Sequence, residues 1–192
     1  MDTAFLKYKA PDADAIQADG VSRLCDDLQV DPGDVAMLVL AFHFKAEKMC
    51  EFSKAEWTQG LGALGCDSVE KLAAKVPSLR ASLADEATFR GVYAYAFAFG
   101  LERGAKALVA DTALALWGLL LPGRWGAAEA WLGYCSGVRG MKAVSKDTWM
   151  QLLEFSRKFK GGDFSDYDED GAWPTLIDDF VEQAKGGGGE TN

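Results

Sequence analysis

The sequence predicts an all-α protein, on three observations: helix-start signatures recur along the chain, strand-like alternation is scarce, and the last apolar segment repeats at helical spacing. The segment Asp31-Pro32 offers an N-cap followed by proline at the first helical position, with Asp34 adding charge to the first turn. A helix is expected from there to about Met49. Phe52-Ser53-Lys54-Ala55-Glu56-Trp57 is a fuller start: Ser53 and Glu56 can cap each other's backbone donors, and Phe52 can staple Trp57.

Asp67 with Glu70 repeats the capping-box spacing, and Val144-Ser145-Lys146-Asp147-Thr148-Trp149 repeats the cap and staple, predicting helices near 68–77 and 146–159. The segments 87–99 and 107–121 are rich in helix formers, and Pro122-Gly123 stops the second. A further helix is expected over 125–137. The last opens at Trp173-Pro174, with Ile177, Phe180, Val181 and Ala184 on one face.

About half of the 192 residues are apolar, including six Trp and eleven Phe, which is enough to offset the entropy of ordering most of the chain. One domain over 1–185 is expected, with two subdomains able to meet near Gly100 to Gly104 and a flexible glycine-rich tail over 186–192. The longest apolar stretch, 107–121, contains Asp111 and falls short of the roughly 20 residues a membrane span needs. It reads as a buried helix.

The net charge is -9, from 29 acids and 20 bases, with no basic run. That argues against nucleic acid and for a basic protein partner, or simply for solubility. The cysteines at 25, 50, 66 and 135 form no CxxC pair, so a zinc site of the usual spacing is not expected. The N-terminus lacks the basic and apolar regions of a signal peptide, and reduced thiols inside the cell follow.

The residues allow two chemical readings. Asp166 to Gly171 reproduces the first half of a calcium-binding EF-hand loop, but position 12, where a bidentate Glu must stand, is Ile177. An acidic approach to a helix start fits better. His43 is the only histidine and lies in the apolar run Val35 to Phe44, so it reads as a structural residue rather than a catalytic base. No cofactor motif occurs, and neither catalytic residues nor a metal site are expected.

The run Asp168-Glu169-Asp170-Gly171-Ala172-Trp173-Pro174-Thr175-Leu176-Ile177-Asp178-Asp179-Phe180-Val181 resembles the signature of the PONY domain of the defective-in-cullin-neddylation family. Leu24-Cys25-Asp26-Asp27-Leu28, Cys50-Glu51-Phe52-Ser53-Lys54, Leu64-Gly65-Cys66-Asp67-Ser68 and Lys146-Asp147-Thr148-Trp149 resemble it in order, so the likeness covers about residues 5 to 185. For the fold, it implies a compact helical domain with degenerate EF-hand-like helix pairs. For function, it implies a scaffold without catalytic residues that binds the C-terminal winged-helix region of a cullin together with the neddylation conjugating enzyme.

By the same resemblance, Asp147, Ala172 and Asp178 match the patch that meets basic cullin residues. An apolar pocket for the conjugating enzyme's acetylated N-terminal Met maps to Val21, Gly33, Met37, Leu40, Ala41, Phe44, Cys50, Phe52, Phe99 and Leu119. Met37, Leu40, Ala41 and Phe44 share a helical stripe, a pattern that also suits a core. A monomer is the default expectation, in the cytoplasm, the nucleus or both. A helical interaction module of other specificity and a calcium-binding regulator are the alternatives.

Overall fold

The computed structural model describes residues 2–138 and 141–186. Its contacts cluster into two units, Met1–Gly100 and Leu101–Asn192. Unit 1 contains α1 (Asp2–Tyr8), β1 (Ala15–Ile16), α2 (Ala18–Leu28), α3 (Val35–Phe44), β2 (Phe52–Ser53), α4 (Lys54–Ala63), α5 (Val69–Ser82) and α6 (Glu86–Phe99). Unit 2 contains β3 (Ala107–Val109), α7 (Ala110–Leu120), α8 (Ala128–Gly137), β4 (Ala143–Ser145), α9 (Lys146–Lys158) and α10 (Thr175–Gly186). The class is all-α, as expected, with two minimal antiparallel ladders.

Those ladders explain the architecture. In unit 1 the loops of two helix–loop–helix hands, α1 to α2 and α3 to α4, are joined by the pairs Ala15 with Ser53 and Ile16 with Phe52. In unit 2, β3 leads into α7 and β4 joins α8 to α9, with Leu108 opposite Val144. Pairing through short loop strands is the arrangement of EF-hand pairs, and it places Ile16, Phe52, Leu108 and Val144 in the cores.

Helix α3 is apolar all round, which requires burial on every side, and it packs against α4, α5 and α6. The capping box at Ser53 and Glu56 forms, and the staple residues Phe52 and Trp57 both close on the Phe44 ring, at 5.2 and 5.7 Å between centroids. In unit 2, Ser145 caps α9, and Trp149 stacks on Trp117 at 5.2 Å.

Several boundaries differ from expectation. The cap of α3 is Asp34, whose Oδ1 accepts from the Ala36 N–H, and Asp31 instead holds the preceding turn by accepting from the Gly33 N–H. Asp34 also takes a forked pair of bonds from Arg80 of α5, which holds its carboxyl below the usual range. Helix α3 ends at Phe44 rather than near Met49, because Lys45 turns left-handed at φ 54. Ser68, not Asp67, caps α5, while Asp67 pairs with the Lys71 ammonium at 2.8 Å. Helix α5 then runs through Pro77 to Ser82. Residues 107–109 are strand rather than helix, and α8 begins at Ala128 rather than Trp125. The first two helices were not anticipated. Gly186 closes α10, and the rest of the expected tail, 187–192, lies outside the described residues.

Helices α3 and α4 approach so closely that Gly60 has no room for a side chain. A Cβ there would lie 2.0 Å from Phe44 Cδ1 and 2.3 Å from Cγ. Replacing glycine by alanine in a helix ordinarily gains about 1 kcal/mol, but overpacking a closed core costs about 1–3 kcal/mol. With Phe44 fully buried between Phe52 and Trp57, the overlap should win. Gly60→Ala is expected to lower the urea unfolding midpoint of the protein, and a midpoint equal to or above the parent's would contradict this packing.

Candidate functional site

Asp147, Ala172 and Asp178 all belong to unit 2. Asp147 occupies the first turn of α9, where the macrodipole favours an acid. Its position is fixed from both sides: Ser145 Oγ accepts from the Thr148 N–H at 3.0 Å, and Val144 and Trp149 anchor in the core. The carboxylate itself is exposed. Further along α9, Gln151, Glu154 and Lys158 share its face at helical spacing.

The chain between α9 and α10 has little regular structure and is held by aromatic rings. Phe164 and Tyr167 are buried against Phe155 of α9, at 5.5 and 6.0 Å. Asp168 folds the acidic turn upon itself: its Oδ1 accepts from the Asp170 N–H and its carbonyl accepts from the Gly171 N–H. Trp173 meets the Phe155 ring edge-on at 5.4 Å, and the Lys158 ammonium stands 5.9 Å from the Trp173 centroid. Ala172, next to that anchor, is exposed.

Helix α10 is pinned by Ile177, Phe180 and Val181, all buried, with Phe180 meeting Trp131 at 5.2 Å and Phe164 at 5.6 Å. Asp178 is half-buried and accepts a hydrogen bond from the Tyr167 hydroxyl. Burial, and then this bond to the carboxylate, raise the Tyr167 pKa above the ordinary phenol value, so the phenol stays a donor at neutral pH. The Lys185 ammonium lies 5.4 Å from the Tyr167 ring centroid and 3.5 Å from a Glu169 oxygen.

These residues enclose a cavity of about 320 Å³ lined by Tyr167, Glu169, Asp178, Asp179, Glu182 and Lys185, together with Val181. Four carboxylates face one ammonium. A small recess of this kind, floored by a tyrosine ring, can receive a Lys or Arg side chain, whose stem packs on apolar atoms while its head meets acids.

The structure links two of the three patch residues closely. Ala172 sits beside Trp173 and Asp178 is bonded to Tyr167, and both aromatic rings rest on Phe155. Asp147 is connected to them along α9, whose rise from Asp147 to Lys158 is about 16 Å. Among the described residues, no hydrogen bond or ion pair joins Asp147 to Ala172 or Asp178. Tyr167 and Lys185 were not singled out from sequence, although Asp178, Glu182 and Lys185 fall one and two turns apart on a single helix face.

In unit 1, Leu40, Ala41, Phe44 and Phe52 of the candidate pocket are core residues with at most 4% of their surface exposed. Val21, Met37 and Phe99 are half-buried, while Gly33 and Cys50 are exposed. Leu119, on α7 of unit 2, is half-buried. Unit 1 also contains a cavity of about 610 Å³ whose walls include Phe42, His43, Tyr95 and Phe99. His43 packs edge-on against Phe42, and burial lowers its pKa, so it is neutral at pH 7.

The four cysteines are unbridged. Burial pushes the Cys135 thiol up to about 12, so it remains protonated. In the acidic turn, Ile177 at the twelfth loop position is fully buried and Asp168 Oδ1 accepts a backbone hydrogen bond, which leaves a calcium ion no complete ligand set there. Among the described residues, no group of three or more His, Cys, Asp or Glu could hold a metal ion, and no helix is long and apolar enough to cross a membrane.

Comparison with known proteins places the chain in a family. A family model described as cullin binding matches residues 71–183. DCN1-like protein 5 of Homo sapiens is 40% identical over 181 residues, covering 94% of this chain and 75% of that protein. DCN1-like protein 4 of Danio rerio is 40% identical over 181 residues, covering 94% and 64%. DCN1-like protein 3 of Rattus norvegicus is 38% identical over 186 residues, covering 95% and 61%. The helical fold and the family match together define a cullin-binding domain. The chain belongs to the DCN1-like family, whose shared region is the PONY domain.

Proposed function

We propose that this protein is a non-catalytic scaffold that holds the C-terminal winged-helix region of a cullin and the neddylation conjugating enzyme together, so that the ubiquitin-like modifier passes to the cullin. The observation that carries the reading is the acid-lined recess beside Asp178, on a chain of the cullin-binding family. The thioester chemistry belongs to the conjugating enzyme and the modifier. Holding two reactants in a productive geometry can by itself remove several kcal/mol from a barrier, about 7–11 in the best-oriented cases.

On this reading a basic side chain of the cullin enters the recess toward Asp178 and Glu182, the small Ala172 lets the partner backbone approach, and a second basic group reaches Asp147. The chain works as a monomer in the cytoplasm, the nucleus or both. The conjugating enzyme offers its acetylated N-terminal Met to an apolar pocket that includes Val21, Met37, Leu40, Cys50 and Phe52. The half-buried Met37 and Val21 support it, since a polarizable thioether adapts to an apolar guest.

Charge reversal tests the first contact. Asp147→Lys and Asp178→Lys should each weaken binding to an immobilised cullin winged-helix domain about tenfold or more, equivalent to about 1.4 kcal/mol. Parent-like affinity in both variants would remove the acidic surface from the account. For the pocket, a Met-led peptide of the conjugating enzyme should bind more tightly when acetylated, because burying an ammonium among apolar groups is costly. Equal affinity of the acetylated and free-amine peptides would count against it.

A further inference from the structure

The segment from Lys45 to Glu56 has the length and path of a calcium-binding hand loop, but its residues do not suit the ion. Helix α3 stops at Phe44 and α4 starts at Lys54, so the twelve positions of such a loop fall on Lys45 to Glu56. The sharp turn that glycine makes at position six is made by Cys50, at φ 57. Ser53 stands at position nine and Glu56 at twelve, where a bidentate carboxylate is required. Position one, however, is Lys45 and position five is Met49. A hard cation gains nothing from a thioether and is opposed by an ammonium at the place of its first ligand.

The two oxygens of Glu56 are also occupied. Oε2 accepts from the Ser53 N–H at 2.6 Å, which with the Glu56 N–H donating to Ser53 Oγ makes the capping box of α4, and also from the Ser53 hydroxyl at 2.8 Å. Oε1 accepts from the backbone N–H of Glu47 at 2.9 Å. No helix start requires that second bond. It reaches back across the loop and ties the beginning of the turn to its end, with Cys50 at the apex.

We infer that Glu56 takes the place of the cation in this hand, closing the 47–53 turn from within, and that it is thereby a positioning residue for Cys50 and Phe52 in the proposed peptide pocket. The second half of this statement rests on the pocket reading given above. A metal-dependent hand stiffens when its ion arrives. This one is held by charge-assisted hydrogen bonds that are part of the fold, so its shape is independent of calcium.

The test uses the full chain with Glu56→Ala, Glu56→Gln and Ser53→Ala. Glutamine has one acceptor oxygen for the two backbone donors of Glu47 and Ser53, so at least one of those two N–H groups loses its partner. Ser53→Ala removes the hydroxyl but keeps both backbone bonds, and so separates helix capping from loop closure.

Amide hydrogen exchange should accelerate at Glu47 in Glu56→Ala, which removes both acceptors, and at Glu47 or Ser53 in Glu56→Gln; at Glu47 it should stay near the parent rate in Ser53→Ala, and respond in the parent to neither calcium nor chelator. The acetylated Met-led peptide should bind Glu56→Gln about fivefold more weakly, the scale of one lost hydrogen bond. Its affinity for Ser53→Ala, and that of the winged-helix domain for Glu56→Gln, should be unchanged. Parent-like exchange at Glu47 in Glu56→Ala, or a calcium-dependent rate in the parent, overturns the closure. Faster exchange with undiminished peptide affinity overturns the positioning role. If the parent chain binds no peptide, the pocket reading fails and the positioning role with it, while exchange at Glu47 still decides whether Glu56 closes the loop.

Discussion

The candidate cullin-facing surface depends on one buried ring. Phe155 of α9 is fully enclosed, and Trp125, Phe159, Phe164, Tyr167 and Trp173 all close on it. Residues 159–174 contain no helix or strand, so ordering them costs about 1–2 kcal/mol of backbone entropy per residue with few regular hydrogen bonds in return. Aromatic contacts, worth about 0.5–1.5 kcal/mol per pair beyond their buried area, supply the compensating term. Without that cluster, Ala172 would lie in a loose loop leading to the helix that carries Asp178. With it, they are carried by α9 and α10, and the Tyr167 hydroxyl sets the direction of the Asp178 carboxylate.

Unit 1 shows a different economy. Its hands keep the loop strands and the left-handed turn at Cys50, but the ligand positions have been given to Lys45 and Met49. Glu56, which a metal hand would direct at its ion, is bonded to the backbone instead. On the inference drawn above, the same polypeptide geometry serves as a rigid frame rather than a switch. Rigidity suits a scaffold, because a partner held loosely forfeits the orientation that accelerates transfer.

Much of this was legible in sequence wherever a local signal fixed a local structure. Ser53 with Glu56 and Ser145 with its flanking Val144 and Trp149 each announce a helix through donors they satisfy themselves, and the helices begin where those residues stand. Helix α2 carries no such signal, because its N-cap, Gln17, makes no side-chain cap bond. The end of α3 carries none either, because a lysine, not a glycine, takes the left-handed conformation there. Asp31 and Asp34 are equivalent on paper, and only the contact with Arg80, far along the chain, marks Asp34 as the residue held in place. The candidate surface divides in the same way. Asp147, Ala172 and Asp178 could be named by resemblance and Lys185 shares a helix face with Asp178, whereas Tyr167 matters through ring and hydroxyl contacts that no spacing rule encodes.

The most direct measurement is the rate at which the ubiquitin-like modifier moves from its charged conjugating enzyme to a cullin in a purified system, with and without this chain. The account predicts that the parent chain raises the single-turnover rate and that Asp178→Lys, folded to the same extent, does not. A transfer rate indifferent to the parent chain at saturating concentration would contradict it.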